Sequence, residues 1–128
     1  VMTDVLRAVL IGAFGGTGAV SRYMLDRFVQ TRTSSYFPFG TLTVNLIGAA
    51  ALGAVDALGS ISELSKLIAS VLGVGFLGGF TTFSTLIYES FAMLTQRGTR
   101  LSGFANLAGS IALGLTAYLA VFELVRRA

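Results

Sequence analysis

Charged residues fall in clusters along the chain, and long stretches between the clusters contain none. The clusters are Asp4 with Arg7; Arg22, Asp26, Arg27 and Arg32; Asp56, Glu63 and Lys66; Glu89, Arg97 and Arg100; and Glu123, Arg126 and Arg127. The uncharged stretches cover residues 33–55, 67–88 and 101–122, each about 22 residues long. Roughly 20 helical residues cross the hydrocarbon core of a bilayer. A shorter apolar run, residues 8–21, can cross only if its helix continues through Arg22, with the charged end at an interface or a wet cavity. The pattern predicts an all-α integral membrane protein with four membrane helices, approximately residues 4–28, 39–58, 63–96 and 101–126. They form a single domain over residues 1–128. The lone proline, Pro38, suits the start of the second helix. The third helix is too long for one unbroken span, and Gly78–Gly79 is where a break is expected.

Composition agrees. Apolar residues make up 54% of the chain and charged residues 12%, about half the charge of a typical soluble domain. The mean hydropathy is +0.80. A signal peptide is a poor reading of the first run, because no clear small-x-small cleavage site precedes a soluble domain. The chain has no cysteine and no histidine. Disulfides, thiolate metal sites and the usual physiological proton carrier are therefore excluded. The +3 net charge sits at helix ends, where it suits lipid head groups rather than nucleic acid.

With four spans, the N-terminus, second loop and C-terminus share one side, which carries Arg7, Lys66, Arg126 and Arg127. The other side carries Arg27, Arg32, Arg97 and Arg100, with Arg22 as a possible fifth. A Lys/Arg excess normally sets orientation, and here it nearly cancels. That balance suits insertion in both orientations. Two copies could then pair antiparallel, making between chains the inverted symmetry that many transporters build within one. Small residues mark the helices for close packing: Gly12 with Gly16, Gly15 with Ala19, Gly48 with Ala49 and Gly53, and Gly109 with Gly114. The G-x-x-G-x-x-G pattern of residues 12–18 lacks the flanking strand that a nucleotide loop requires.

Polar residues inside the apolar runs are aligned. Thr41 and Asn45 share a face of the second helix; Thr81, Thr85 and Glu89 share one on the third; Ser102, Asn106 and Ser110 share one on the fourth. Polar groups at membrane depth are expensive unless they face the bundle interior or water. The stripes therefore read as the lining of a polar track. That lining is rich in O–H and N–H donors and holds no charge at its centre. No fixed cation traps an anion there, and no acid carries a proton. Neutral donors of this kind suit an anion that must shed its water and still leave, with aromatic edges such as those of Phe80 and Phe83 assisting. A helix break adds free carbonyls, which can hold a cation.

The sequence strongly resembles the small fluoride channels of the CrcB/Fluc family. The resemblance rests on "GGTGAVSRY" (residues 15–23), "GTLTVNLIG" (40–48), "GGFTTFST" (78–85) and "NLAGS" (106–110), in this order in a short chain. It implies an antiparallel, dual-topology homodimer in the cell (inner) membrane, with two fluoride pores. It also implies a structural sodium ion held at the centre by the backbone carbonyls of Gly78 and Thr81. The pore positions map to Asn45, Phe83, Ser84, Thr85, Asn106 and Ser110, with Arg22 and Glu89 in support. Many members carry a second phenylalanine three residues after the first. Leu86 stands there in this chain, so the aromatic role stays with Phe83.

The function expected is passive, uncoupled export of fluoride, with no catalytic step. The bilayer, the fluoride ion and a second copy of the chain are its partners. The alternative is a proton-coupled small multidrug exporter. Such a carrier needs an acid embedded in its first helix, where Asp26 lies too close to the end, and usually tryptophan, of which the chain has none. A non-transporting membrane subunit, with the stripes serving only as glue between helices, is a third class.

Overall fold

The computed structural model describes residues 2–128, and they are helical almost throughout. Helix α1 spans Met2–Arg32 and α2 spans Phe39–Gly59. The third crossing is composite. It comprises α3 (Glu63–Ala69), a π-helical segment (Ser70–Leu77), α4 (Gly78–Phe80) and α5 (Phe83–Thr95). Helix α6 spans Arg100–Arg127. Four stretches are long and apolar enough to cross a membrane: Thr3–Arg32, Phe39–Gly59, Leu64–Thr95 and Arg100–Arg127. The chain is a multi-pass membrane protein. As expected, α1 continues through Arg22.

Local chemistry sets the ends. Ser62 caps α3 by accepting the Ser65 N–H at 3.1 Å, as serine does at a helix start. Pro38 occupies the position before α2, and its carbonyl accepts the Leu42 N–H. Gln30 organises the first loop: its amide N–H groups donate to the Ser35 and Phe37 carbonyls, and its oxygen accepts from Gly40 N–H. The last turn places Gly98 at φ 93°, a conformation that favours glycine.

Packing runs in a chain of neighbours. Helix α6 lies along α2 and α5, and α1 lies along α2, the π-helical segment and α4. Val44, Leu77 and Phe80 form the buried centre, surrounded by Leu25, Ala51, Leu52, Val55 and Phe76. Large apolar side chains elsewhere remain exposed, as helices facing lipid require. Phe80 is buried and stacks on Phe76 with ring centroids 5.8 Å apart. It belongs to this core and does not stand beside the hydroxyls as a free aromatic edge.

The third crossing breaks at Thr81–Thr82, just beyond the glycine pair. Thr81 (φ −84°, ψ 160°) and Thr82 (φ −147°, ψ 123°) are extended, whereas Gly78 is helical. Gly79 has a different task. A Cβ there would lie 2.1 Å from the Gly15 carbonyl oxygen, and one at Gly18 would lie 2.0 Å from that of Phe76. The first and third crossings thus touch backbone to backbone. The expected pair Gly12 and Gly16 is not part of this seam, since nothing lies within 4 Å of either position.

Candidate functional site

An interrupted helix leaves backbone groups without partners at apolar depth, where non-helical backbone must be buried or face a cavity. Asn45 on α2 supplies the missing partners. Its Nδ2 donates to the Thr82 carbonyl at 2.9 Å, and its Oδ1 accepts the Thr82 N–H at 2.8 Å. This pair imitates the exchange between two backbone strands. The Thr82 hydroxyl then caps α5, accepting the Thr85 N–H at 3.2 Å and donating to the Thr85 hydroxyl at 2.9 Å. Thr81 turns back, with its N–H and hydroxyl both donating to the Leu77 carbonyl.

Two cavities meet at this joint. A groove of about 340 Å3 is lined by Asn45, Gly48, Gly78, Thr81, Thr82, Phe83, Leu86 and Ser110, among others. A smaller cavity of about 140 Å3 is lined by Arg22, Tyr23, Asp26, Thr41, Val44, Thr82 and Thr85. Thr82 is the one residue common to both. Sequence reasoning passed over Thr82 as a site residue. The available signal was a threonine directly ahead of an apolar helical run, the usual mark of a cap.

The structure sorts the remaining site residues. Phe83 lines the groove with its ring 66% exposed, and Leu86 beside it is buried. Ser84 points outward, its hydroxyl reaching only that of Thr82 at 3.4 Å, and it lines neither cavity. Asn106 is 1% exposed and donates to Ser90 Oγ at 2.9 Å, while the Ser110 hydroxyl donates to Asn106 Oδ1 at 3.4 Å. Ser110 thus links the groove to a buried polar cluster, of which Ser90 was not foreseen. Ser90 directly follows Glu89 and so lies off the stripe that drew attention to that helix. Thr41 donates to Glu89 Oε1 at 2.9 Å. Glu89 Oε2 and Arg22 Nε are buried without a hydrogen-bond partner. Ser102 keeps its place on the α6 face with Asn106 and Ser110, and its hydroxyl pairs with that of Tyr36.

The break also bears on cation binding. No cluster of acidic side chains suited to a metal exists among the described residues. The Gly78 carbonyl belongs to the short helical turn before the break, and the Thr81 carbonyl lies in the break itself, where unwound backbone suits a monovalent cation. Two carbonyls from one chain make an incomplete shell, so such a site requires a second copy.

Comparison with known proteins identifies the family. The sequence profile of the family described as "CrcB-like protein, Camphor Resistance (CrcB)" matches residues 9–122. A protein of Shewanella woodyi named "Fluoride-specific ion channel FluC" is 45% identical over 106 residues, covering 82% of this chain and 85% of the relative. One of Shewanella loihica with the same name is 42% identical over 84% of this chain and 86% of the relative. "Fluoride-specific ion channel FluC 2" of Mycobacterium bovis is 43% identical over 88% and 86%.

Proposed function

The chain belongs to the CrcB-like family, and from that premise we propose that it is a passive, fluoride-selective channel through which fluoride leaves the cell. It is a transporter and performs no catalytic step. The observation that supports the route is the pair of cavities sharing Thr82. Arg22 is the one basic residue lining either of them, and Asp26 lines the smaller cavity with it, so that cavity is polar without an excess of positive charge. Thr41 and Thr85 there offer hydroxyls. Beyond Thr82 the groove offers Ser110 and the edge of the Phe83 ring.

The energetics require several donors at once. A bare small ion in apolar surroundings costs on the order of tens of kcal/mol relative to water. A hydroxyl can rotate its proton toward the ion at little cost. Thr85 meets this need directly, because its hydroxyl accepts from Thr82 and keeps its own proton. Thr41 and Ser110 meet it by turning their protons from Glu89 and Asn106. Asn45 keeps one amide N–H beyond the one holding Thr82. Asn106 contributes through Ser110, because its own amide is buried. Ser84 faces away from both cavities and takes no part in this route. Glu89 orients the Thr41 hydroxyl.

Two copies related by inverted symmetry complete the assembly in this reading, giving two pores. The nearly balanced Lys/Arg distribution supports it. The second copy would add its own Gly78 and Thr81 carbonyls to hold a structural sodium ion. That ion supplies fixed positive charge near the break.

The test is fluoride efflux from liposomes that contain only this protein. Rapid efflux is expected, with chloride excluded. No fluoride flux, or equal chloride flux, overturns the proposal, and flux driven by a pH gradient favours a proton-coupled exporter.

A further inference from the structure

A second polar cavity, of about 560 Å3, shares no residue with the pore groove or the Arg22 cavity. It lies between the start of α1 and α3, and its lining includes Arg7, Lys66 and Ser70 over the aliphatic side chains of Leu6, Leu10 and Leu67. Both helix segments begin membrane spans on the same side of the bundle, so the cavity sits at the depth of lipid head groups. We propose that it binds the phosphate of an anionic phospholipid, with the acyl chains lying along the three leucines.

The chemistry is split as such a ligand is split. Arg7 Nη2 donates to Ser70 Oγ at 2.6 Å, and the Ser70 hydroxyl donates to the Lys66 carbonyl at 3.0 Å. One guanidinium N–H is thereby used to fix the Arg7 fork against the start of the π-helical segment, and a guanidinium has five. A planar fork with its position fixed is suited to phosphate oxygens. Lys66 adds a second cation to the lining, on a stem whose methylenes cover apolar surface. Asp4 also lines the cavity, leaving the titratable lining with two cations against one acid. Basic pockets between membrane helices beside the interface bind anionic lipid head groups on these terms. The leucine floor argues for a lipid rather than free phosphate, which has nothing to place there.

The test uses the full chain in nanodiscs of phosphatidylcholine with a minor fraction of phosphatidylglycerol, followed by native mass spectrometry of retained lipid. Phosphatidylglycerol should be enriched roughly fivefold or more over its share of the disc, the scale expected for one basic contact near an anionic surface. Arg7→Gln combined with Lys66→Gln should abolish the enrichment. Arg126→Gln combined with Arg127→Gln makes the same charge change elsewhere and should leave it intact. Absence of enrichment, or equal loss in both double variants, overturns the proposal. Occupation by inorganic phosphate with no lipid preference overturns it too. If the first double variant fails to fold, Leu67→Trp gives a separate readout, because the chain has no other tryptophan. Its fluorescence should be quenched about twofold more by brominated phosphatidylglycerol than by brominated phosphatidylcholine, and equal quenching overturns the site.

Discussion

Before its break, the third crossing meets α1 with almost no side chain between them; after it, α5 meets α6 at one glycine, Gly103, and through a buried hydroxyl and amide. The first contact places Gly79 against the Gly15 carbonyl and Gly18 against that of Phe76. The second runs from Asn106 to Ser90. Backbone contacts of the first kind have one solution, since no rotamer can absorb an added atom. The second kind has several, because a hydroxyl and an amide can each find another partner. The half before the break is therefore fixed along this seam, and the half after it is adjustable only at its polar contact, since Gly103 holds the backbones of α5 and α6 together beside it. Asn45 joins the two at Thr82.

Breaking the joint should have the largest effect. Asn45→Leu leaves the Thr82 N–H and carbonyl without partners at apolar depth. At about 1–3 kcal/mol for each orphaned group, the loss is about 2–6 kcal/mol. Thermal unfolding in a fixed detergent should register it, and fluoride efflux should fall to background. Gly79→Ala strikes the fixed half. Its new methyl group would meet the Gly15 carbonyl, and overpacking of this kind costs about 1–3 kcal/mol, readable in the same melt. Ser90→Ala strikes the adjustable half and should cost least, because interhelical side-chain hydrogen bonds in membranes average about 0.6 kcal/mol. If Ser90→Ala destabilised the protein as much as Gly79→Ala, the contrast between the halves would fail.

The membrane topology was legible because charge is excluded from the hydrocarbon layer, so the gaps between clusters mark the spans. Arg22 did not disrupt the first of them, since its helix simply continues to Arg32. The break was legible to within a short distance and for a reason that needed revision. Glycine was read as backbone freedom, but Gly79 gives close approach, and the extended residues are the two threonines after the pair. Helical periodicity also failed where the helix fails. Thr81 and Thr85 are four apart, yet they stand on opposite sides of the break, and each bonds separately. Asn45 was rightly singled out as intramembrane and polar, although its principal partner, the Thr82 backbone, is a contact between residues 37 positions apart. No local pattern encodes that distance. The π-helical segment has no sequence signature of its own among the residues that form it.

The break at Thr81–Thr82 also alters what an inventory of charges means. Residues 67–88 contain no Asp, Glu, Lys or Arg, and a count of formal charge assigns that layer zero. Yet α5 begins inside it, at Phe83, and runs for 13 residues. The aligned peptide dipoles of such a helix sum to about half a positive elementary charge at its first turn. Within the apolar layer, next to the groove, the main chain itself thus presents a positive pole that no substitution of a side chain can remove.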